Sequence, residues 1–249
     1  METHCYRGDS GHGGWICAVV LIDVGINTMA GKTAKRVLVT ALALFNEHGE
    51  NSVTSVDIAM EMDISPGNLY YHFKGKELIV DALIEWHNTE MQQLFRPATL
   101  DKVTVEDFFY FLAIVIDKLQ VFRFLYRSPA DIAEKYPRAK RLHKSLIKQL
   151  EAGLYSLLQR FAAQQQLAAT SAQQRMMVDL ISMILTQSSQ YDDLRAVNDP
   201  ISQKFHALSL IMTALLPRFA LDEQTLSQLQ SAIEHHSMAN LTGNDVLEG

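Results

Sequence analysis

Within Val53 to Lys76, VTSVDIAMEMDISPGNLYYHFKGK, two helix-start signals stand close together, and that spacing constrains the fold more than any other feature of the chain. Thr54, followed three residues later by Asp57, is a capping box built with the shorter acid, so one helix is predicted to begin at Ser55. Val56, Ala59 and Met62 then share its inner face, and Ala59 is small where a second helix must cross. Asp63 falls just past the end of this helix, where a turn residue is needed and Gly is more usual. Ser65 and Pro66 signal the second start, because proline loses no hydrogen bond in a first turn. With Leu69 and Phe73 spaced four apart and facing inward, Pro66, Gly67, Asn68, Tyr70, Tyr71 and His72 are left for the outer and flanking faces. The segment reads as a helix-turn-helix.

Two tyrosines, an Asn and a His beside Lys74, Gly75 and Lys76 form a surface able to hydrogen-bond base edges and phosphates. A compact helical hairpin with exposed aromatics is the alternative that composition alone leaves open. The run NLYYHFKGKEL, Asn68 to Leu78, resembles the TetR family of bacterial transcription regulators, with the likeness covering Lys32 to Trp86. That resemblance implies an N-terminal three-helix DNA-binding domain. Carried over residue by residue, it implies that Pro66, Gly67, Asn68 and Tyr70 face bases while Thr54, Tyr71, His72 and Lys76 hold phosphates. Two positions depart from the pattern. Pro66 has no donor and can meet only a thymine methyl, and Asp63 stands where the family places glycine.

Composition sets the class. The 249 residues are 48% hydrophobic with only 6 prolines, and their apolar positions recur at helical rather than strand spacing, so an all-α chain with a sizeable core is predicted. A net charge of -6 argues against a protein that coats nucleic acid non-specifically. Lys32, Lys35, Arg36, Lys74 and Lys76 are balanced by Glu47, Glu50, Asp57, Glu61 and Asp63, but the basic residues gather at the two ends, which suits two phosphate strands.

The first 28 residues differ in character. They hold both cysteines, Cys5 and Cys17, and an apolar run from Trp15 to Ile22 too short to span a bilayer and lacking a cleavage signal after it. We read residues 1–28 as a disordered or misannotated extension, with Met29 as the natural start, and two cysteines outside the core fit a reducing cytoplasm. From there the helix Lys32 to His48 carries Val37, Ala41, Leu44 and Phe45 on one stripe and stops at Gly49. A connecting helix follows from Glu77 to Phe95, ended by Pro97, with Trp86 and His87 expected near the meeting of two domains or, for Trp86, simply in the core.

Beyond Pro97 the family fingerprint ends and periodicity takes over. Thr104 to Tyr126, apolar nearly all round, is expected to be buried. The resemblance implies that such central helices wall an effector cavity, and Tyr110, Asp117, Arg123 and Tyr126 are its polar candidates; plain aromatic core is the alternative. Ser128 and Pro129 open a short helix, and a long one is expected from Arg138 to about Gln165. Its basic start, Arg138, Lys140, Arg141, His143, Lys144 and Lys148, reads as a solvated face or a further DNA contact. A polar loop is expected over Ala162 to Gln174. Met176, Leu180, Met183, Gln187 and Tyr191 form one seam and Ile201, Phe205, Leu208, Met212 and Leu215 another, with Met177, Ile181, Ile184, Leu210 and Ile211 as second faces. Two such helices from each of two chains make a four-helix dimer contact. A last amphipathic helix is expected over Asp222 to His236.

The sequence thus divides into an extension (1–28), a helix-turn-helix DNA-binding domain (29–76), a larger helical ligand-binding and dimerisation domain (77–236) and a disordered tail (237–249). The expected partners are double-stranded DNA, a second copy of the chain and a small effector of apolar character, with no membrane. A DNA-binding protein without a transcriptional role is the nearest alternative. A helical enzyme fares worse: the nine histidines never take metal-ligand spacing, His235 and His236 point to different faces, and no nucleophile motif occurs, so no catalytic residue, metal or cofactor is expected.

Overall fold

The computed structural model describes residues 31–229 and 231; the expectations for the N-terminal extension, for most of Gln230 to His236 and for the tail lie outside them. Contacts divide the chain between Trp86 and His87 into two compact units. No strand occurs among the described residues, which carry only one isolated bridge, Leu167 to Phe219.

In the first unit, α1 (Lys32–His48), α2 (Ser55–Glu61) and α3 (Pro66–His72) pack on one another, and α4 (Lys76–Leu94) begins directly after. Gly49 stops α1 as expected: its φ of 82° is a conformation that L side chains resist, and its N–H returns to the Phe45 carbonyl. Val37, Ala41 and Phe45 of α1 meet Ile58 and Ala59 of α2 and Leu69 of α3 in a core with almost no solvent access. Each large apolar side chain in it contributes roughly 1.5–3 kcal/mol. The inner face of α2 differs from expectation. Ile58, Ala59 and Met62 are buried, whereas Val56 stays 49% exposed, because the pair four residues apart, Ile58 and Met62, faces the neighbouring helices. Phe73 is half-buried just past the end of α3 rather than fully inward.

The second unit runs through α5 (Pro97–Leu100), α6 (Phe108–Val121), α7 (Phe124–Arg127), α8 (Pro129–Lys135), α9 (Pro137–Ala163), α10 (Ser171–Leu194) and α11 (Pro200–Leu215). The helix α10 packs against α9 and α11, and α11 against α6. Rings of Phe108, Phe109, Phe161 and Phe219 meet with centroids 5.5–6.0 Å apart, holding one end together. Where α9 passes Phe95, Gly153 is required, since a Cβ there would overlap the Phe95 ring.

Three expectations change here. The aromatic stretch is two helices broken at Phe122 and Arg123, and α6 is not buried all round: Tyr110 and Ile114 face solvent. The loop after α9 is shorter than expected, because Thr170 and Gln173 form a capping box that starts α10 at Ser171. On α11, Met212 and Leu215 are consumed by packing within the chain, so only the early part of its expected seam, at Ile201, is open. On α10, Met176, Met183, Gln187 and Tyr191 of the expected seam are exposed and Leu180 is half-buried, while on its second face Met177 and Ile181 are buried and Ile184 is half-buried.

Candidate nucleic-acid interface

Short-range hydrogen bonds set the geometry of the turn. The Thr54 N–H and hydroxyl both donate to Asp57 Oδ2 at 2.7 Å, and the Asp57 N–H donates to the Thr54 hydroxyl at 3.2 Å. These bonds, the one from the Thr54 backbone first, hold the Asp57 carboxyl below its ordinary range. At the other end of α2, Asp63 takes φ 53°, its N–H reaching the Met60 carbonyl while the Ile64 N–H reaches that of Ala59. That bond pair is a Schellman motif, normally closed by glycine. The Ser65 hydroxyl then accepts the Asn68 N–H at 3.2 Å, and Pro66 occupies the first turn of α3.

Only Leu69 of α3 is buried, at 1% exposure. Its anchoring turns Pro66, Gly67, Asn68, Tyr70 and Tyr71 outward together, with Tyr71 83% exposed. His72 is half-buried, its ring edge-on to Tyr71 at 5.2 Å. The structure therefore brings the sequence-selected residues of α3 onto one open surface, flanked by the exposed cap at Thr54.

Lys76 is placed differently from a free phosphate contact. Its ammonium donates to the carbonyl oxygens of Glu50 and Val53, each at 2.9 Å, and lies 2.7 Å from Glu50 Oε1. All three donors of the lysine are thus engaged by the chain just before the Thr54 cap, and the Glu50 carboxylate is almost wholly buried. Sequence reasoning missed this role, since the partners stand 23 and 26 residues away.

In the second unit the four polar residues expected around a cavity separate into two pairs. Arg123 and Tyr126 line a small, partly open cleft together with Leu119, Leu185, Ser188 and Ser189. Tyr110 does not line it and stands 70% exposed. Asp117 is likewise absent from the wall, its carboxylate paired with Lys204 at 2.9 Å. A polar contact not foreseen lies behind the cleft, where His87 Nε2 and the Tyr126 hydroxyl are 2.7 Å apart. Burial, with the charges of His143 and Lys118 adding to it, pushes the His87 imidazole down to about 3, and burial also raises the Tyr126 hydroxyl above its usual range. His143 does not belong to the basic start of α9; it is half-buried against the Tyr126 ring at 5.2 Å and held towards neutrality by that burial. Arg138, Lys140, Arg141, Lys144 and Lys148 are exposed. Among the described residues no cluster of His, Cys, Asp or Glu is placed to hold a metal ion, and no helix is long and apolar enough to cross a membrane.

A capped helix-turn-helix presenting aromatic and amide side chains, followed by a helical body, defines the class of helix-turn-helix regulators. The chain belongs to the TetR family: residues 37–83 match its bacterial regulatory protein model, and residues 87–225 match the model described as a bacterial transcriptional repressor. This is a family of regulators and not of enzymes. The transcriptional regulator UidR of Escherichia coli K12 is 39% identical over 59 residues, which is 24% of this chain and 30% of UidR, so the likeness spans under a third of that relative. Among solved structures, a TetR-family regulator from Marinobacter aquaeolei VT8 superposes with a TM-score of 0.71 at 22% identity, covering 83% of this chain and 99% of its own. SmeT, solved as a complex with triclosan, superposes at 0.56 with 18% identity, covering 74% of this chain and 91% of its own. Both share the fold.

Proposed function

We propose that this protein is a homodimeric repressor that binds an inverted-repeat operator in double-stranded DNA and responds to a small effector. The observation that carries the reading is the outward face of α3: with Leu69 as its only buried side chain, the helix offers Asn68, Tyr70 and Tyr71 to a major groove. In this reading Pro66 and Gly67 let the backbone approach the bases, and Thr54, Tyr71 and His72 meet phosphates. Lys76 instead braces the segment that presents Thr54, because its ammonium is already engaged.

The homodimer rests on α10. Met176, Met183, Tyr191 and Leu194 are exposed within a narrow arc of the helix, large apolar side chains that a partner helix can cover. A two-fold partner would bury it and place two reading heads on two half-sites, so operator symmetry follows from protein symmetry. Residues 29–76 serve as the reading head and 77–236 as the regulatory and dimerisation body, acting in the cytoplasm where the DNA is. Effector response is supported by the cleft beside Arg123 and Tyr126, and by the triclosan complex of SmeT as a neighbour in fold.

The test is a gel shift with the DNA upstream of the protein's own gene, against unrelated competitor DNA over a range of salt. Wild type is expected to prefer the upstream fragment, and Tyr71→Ala and Asn68→Ala to lose the preference while melting as wild type does. Absence of any sequence preference at every salt concentration would refute the proposal.

A further inference from the structure

The helix α9 opens with a run of cations that neither the reading head nor the cleft uses. From Pro137 to Gln149 it carries Arg138, Lys140, Arg141, Lys144 and Lys148, and its first acid is Glu151. Ala139, Leu146 and Leu150 of the same stretch are buried, which fixes the rotation of the helix and turns Lys140, Arg141, Lys144 and Lys148 outward. Lys140, Lys144 and Lys148 stand four residues apart, so they share one line with a rise of about 6 Å per step, and Arg141 lies next to it. These four side chains make no hydrogen bond or ion pair among the described residues. Lys135 and Arg138 have interactions of their own and are not part of the stripe.

In a chain of net charge -6, the four unmatched cations are a local reversal of sign. What the stripe lacks narrows its partner. No large apolar side chain of α9 is exposed, so it offers neither the anchors of a protein interface nor the apolar face of a helix lying in a membrane surface. Long cationic side chains alone suit a dense row of phosphates. Duplex DNA presents about one charge per 1.7 Å of axis, roughly seven over the ~12 Å that the stripe spans, so each cation has a phosphate to meet. DNA is also the partner class of the family to which the chain belongs. Phosphate contacts of this kind position a duplex and carry no sequence information.

We propose that α9 is a second DNA contact, in which Lys140, Arg141, Lys144 and Lys148 hold duplex phosphates irrespective of base sequence. It adds to the operator reading assigned to α3 above and rests on the chain's being a DNA-binding regulator. The experiment uses the full chain and follows fluorescence anisotropy over a range of salt, with the upstream DNA and with a random-sequence duplex. Lys144→Gln/Lys148→Gln is compared with Lys102→Gln/Arg218→Gln, a pair of exposed cations off the stripe whose loss changes the net charge equally. The stripe pair is expected to lower the salt slope on both duplexes by about two units, with melting and the preference for upstream DNA unchanged, and the control pair to leave the slope as in wild type. An unchanged slope in the stripe pair, or an equal fall in the control pair, would overturn the proposal. A second measurement needs no variant. Acetylation of Lys140, Lys144 and Lys148 in wild type is expected to slow when the random duplex is added; no protection by the duplex, or protection only by polyglutamate or anionic phospholipid vesicles, overturns it too. Loss of upstream preference in wild type with a stripe-dependent slope would count against the reading of α3 alone, and preference with an unaltered slope against the stripe alone.

Discussion

Replacing Lys76 by methionine separates two roles that the residue could play in the reading head. The substitution keeps the aliphatic stem and removes the ammonium, which bonds two carbonyl oxygens at 2.9 Å and the Glu50 carboxylate at 2.7 Å. Glu50 is 4% exposed as a side chain and Lys76 is 21% exposed, so the carboxylate would remain charged in a poorly solvated place. Breaking a buried pair costs about 3–5 kcal/mol, and partial solvent access to Lys76 reduces this to roughly 2–4 kcal/mol. A unit of this size should then melt on the order of 10 °C lower. The assays are thermal or urea unfolding followed through the reading head, and operator binding as a function of salt. As a brace, Lys76→Met lowers stability, Glu50→Gln lowers it by a smaller amount, and the salt slope of operator binding stays near that of wild type. As a phosphate contact, Lys76→Met melts normally and the slope falls by about one unit. Wild-type melting together with that one-unit loss would refute the reasoning.

Further outcomes follow from individual positions. Asp63→Gly should stabilise the reading head by about 1 kcal/mol in denaturant unfolding, because it relieves the positive φ at the turn. Gly67→Ala meets only the Ser65 hydroxyl oxygen, at 3.9 Å, so melting should hold or rise by up to about 1 kcal/mol of helix propensity while operator affinity falls in a gel shift. Met183→Asp places a charge on the exposed stripe of α10; sedimentation should show monomers with unchanged helicity, and a persistent dimer would remove α10 from the contact. His87 is held neutral in the fold down to about pH 3, whereas in the unfolded chain it protonates near 6.5. Its contribution is therefore full above about pH 6.5 and lost as pH falls towards 3, a matter of a few kcal/mol, and His87→Phe should flatten that part of the stability profile.

Much of the reading head was legible because its determinants are local. Thr54 with Asp57, the turn at Asp63 and Ser65 with Pro66 act across three or four residues, and the exposed face of α3 follows from the helical period once Leu69 is assigned inward. The same reasoning chose Val56 over Ile58, since periodicity gives a stripe but not which edge of it the neighbouring helices cover. The family resemblance supplied roles for residues, and beside the one it implies for Lys76 the structure shows an ammonium engaged within the chain.

Sequence by itself determined where most helices begin and end, that they are helices, and which residues of α3 stand outward, because caps, turns and the 3.6-residue period are encoded within a few neighbouring positions. Only the tertiary structure decided that Lys76 meets Glu50, that Arg123 and Tyr126 share a cleft while Tyr110 and Asp117 lie off it, and that the late part of the α11 seam is used up within the chain. Those outcomes depend on the angles at which distant helices cross, and a side chain's partner across twenty or more residues follows from packing that no local pattern encodes.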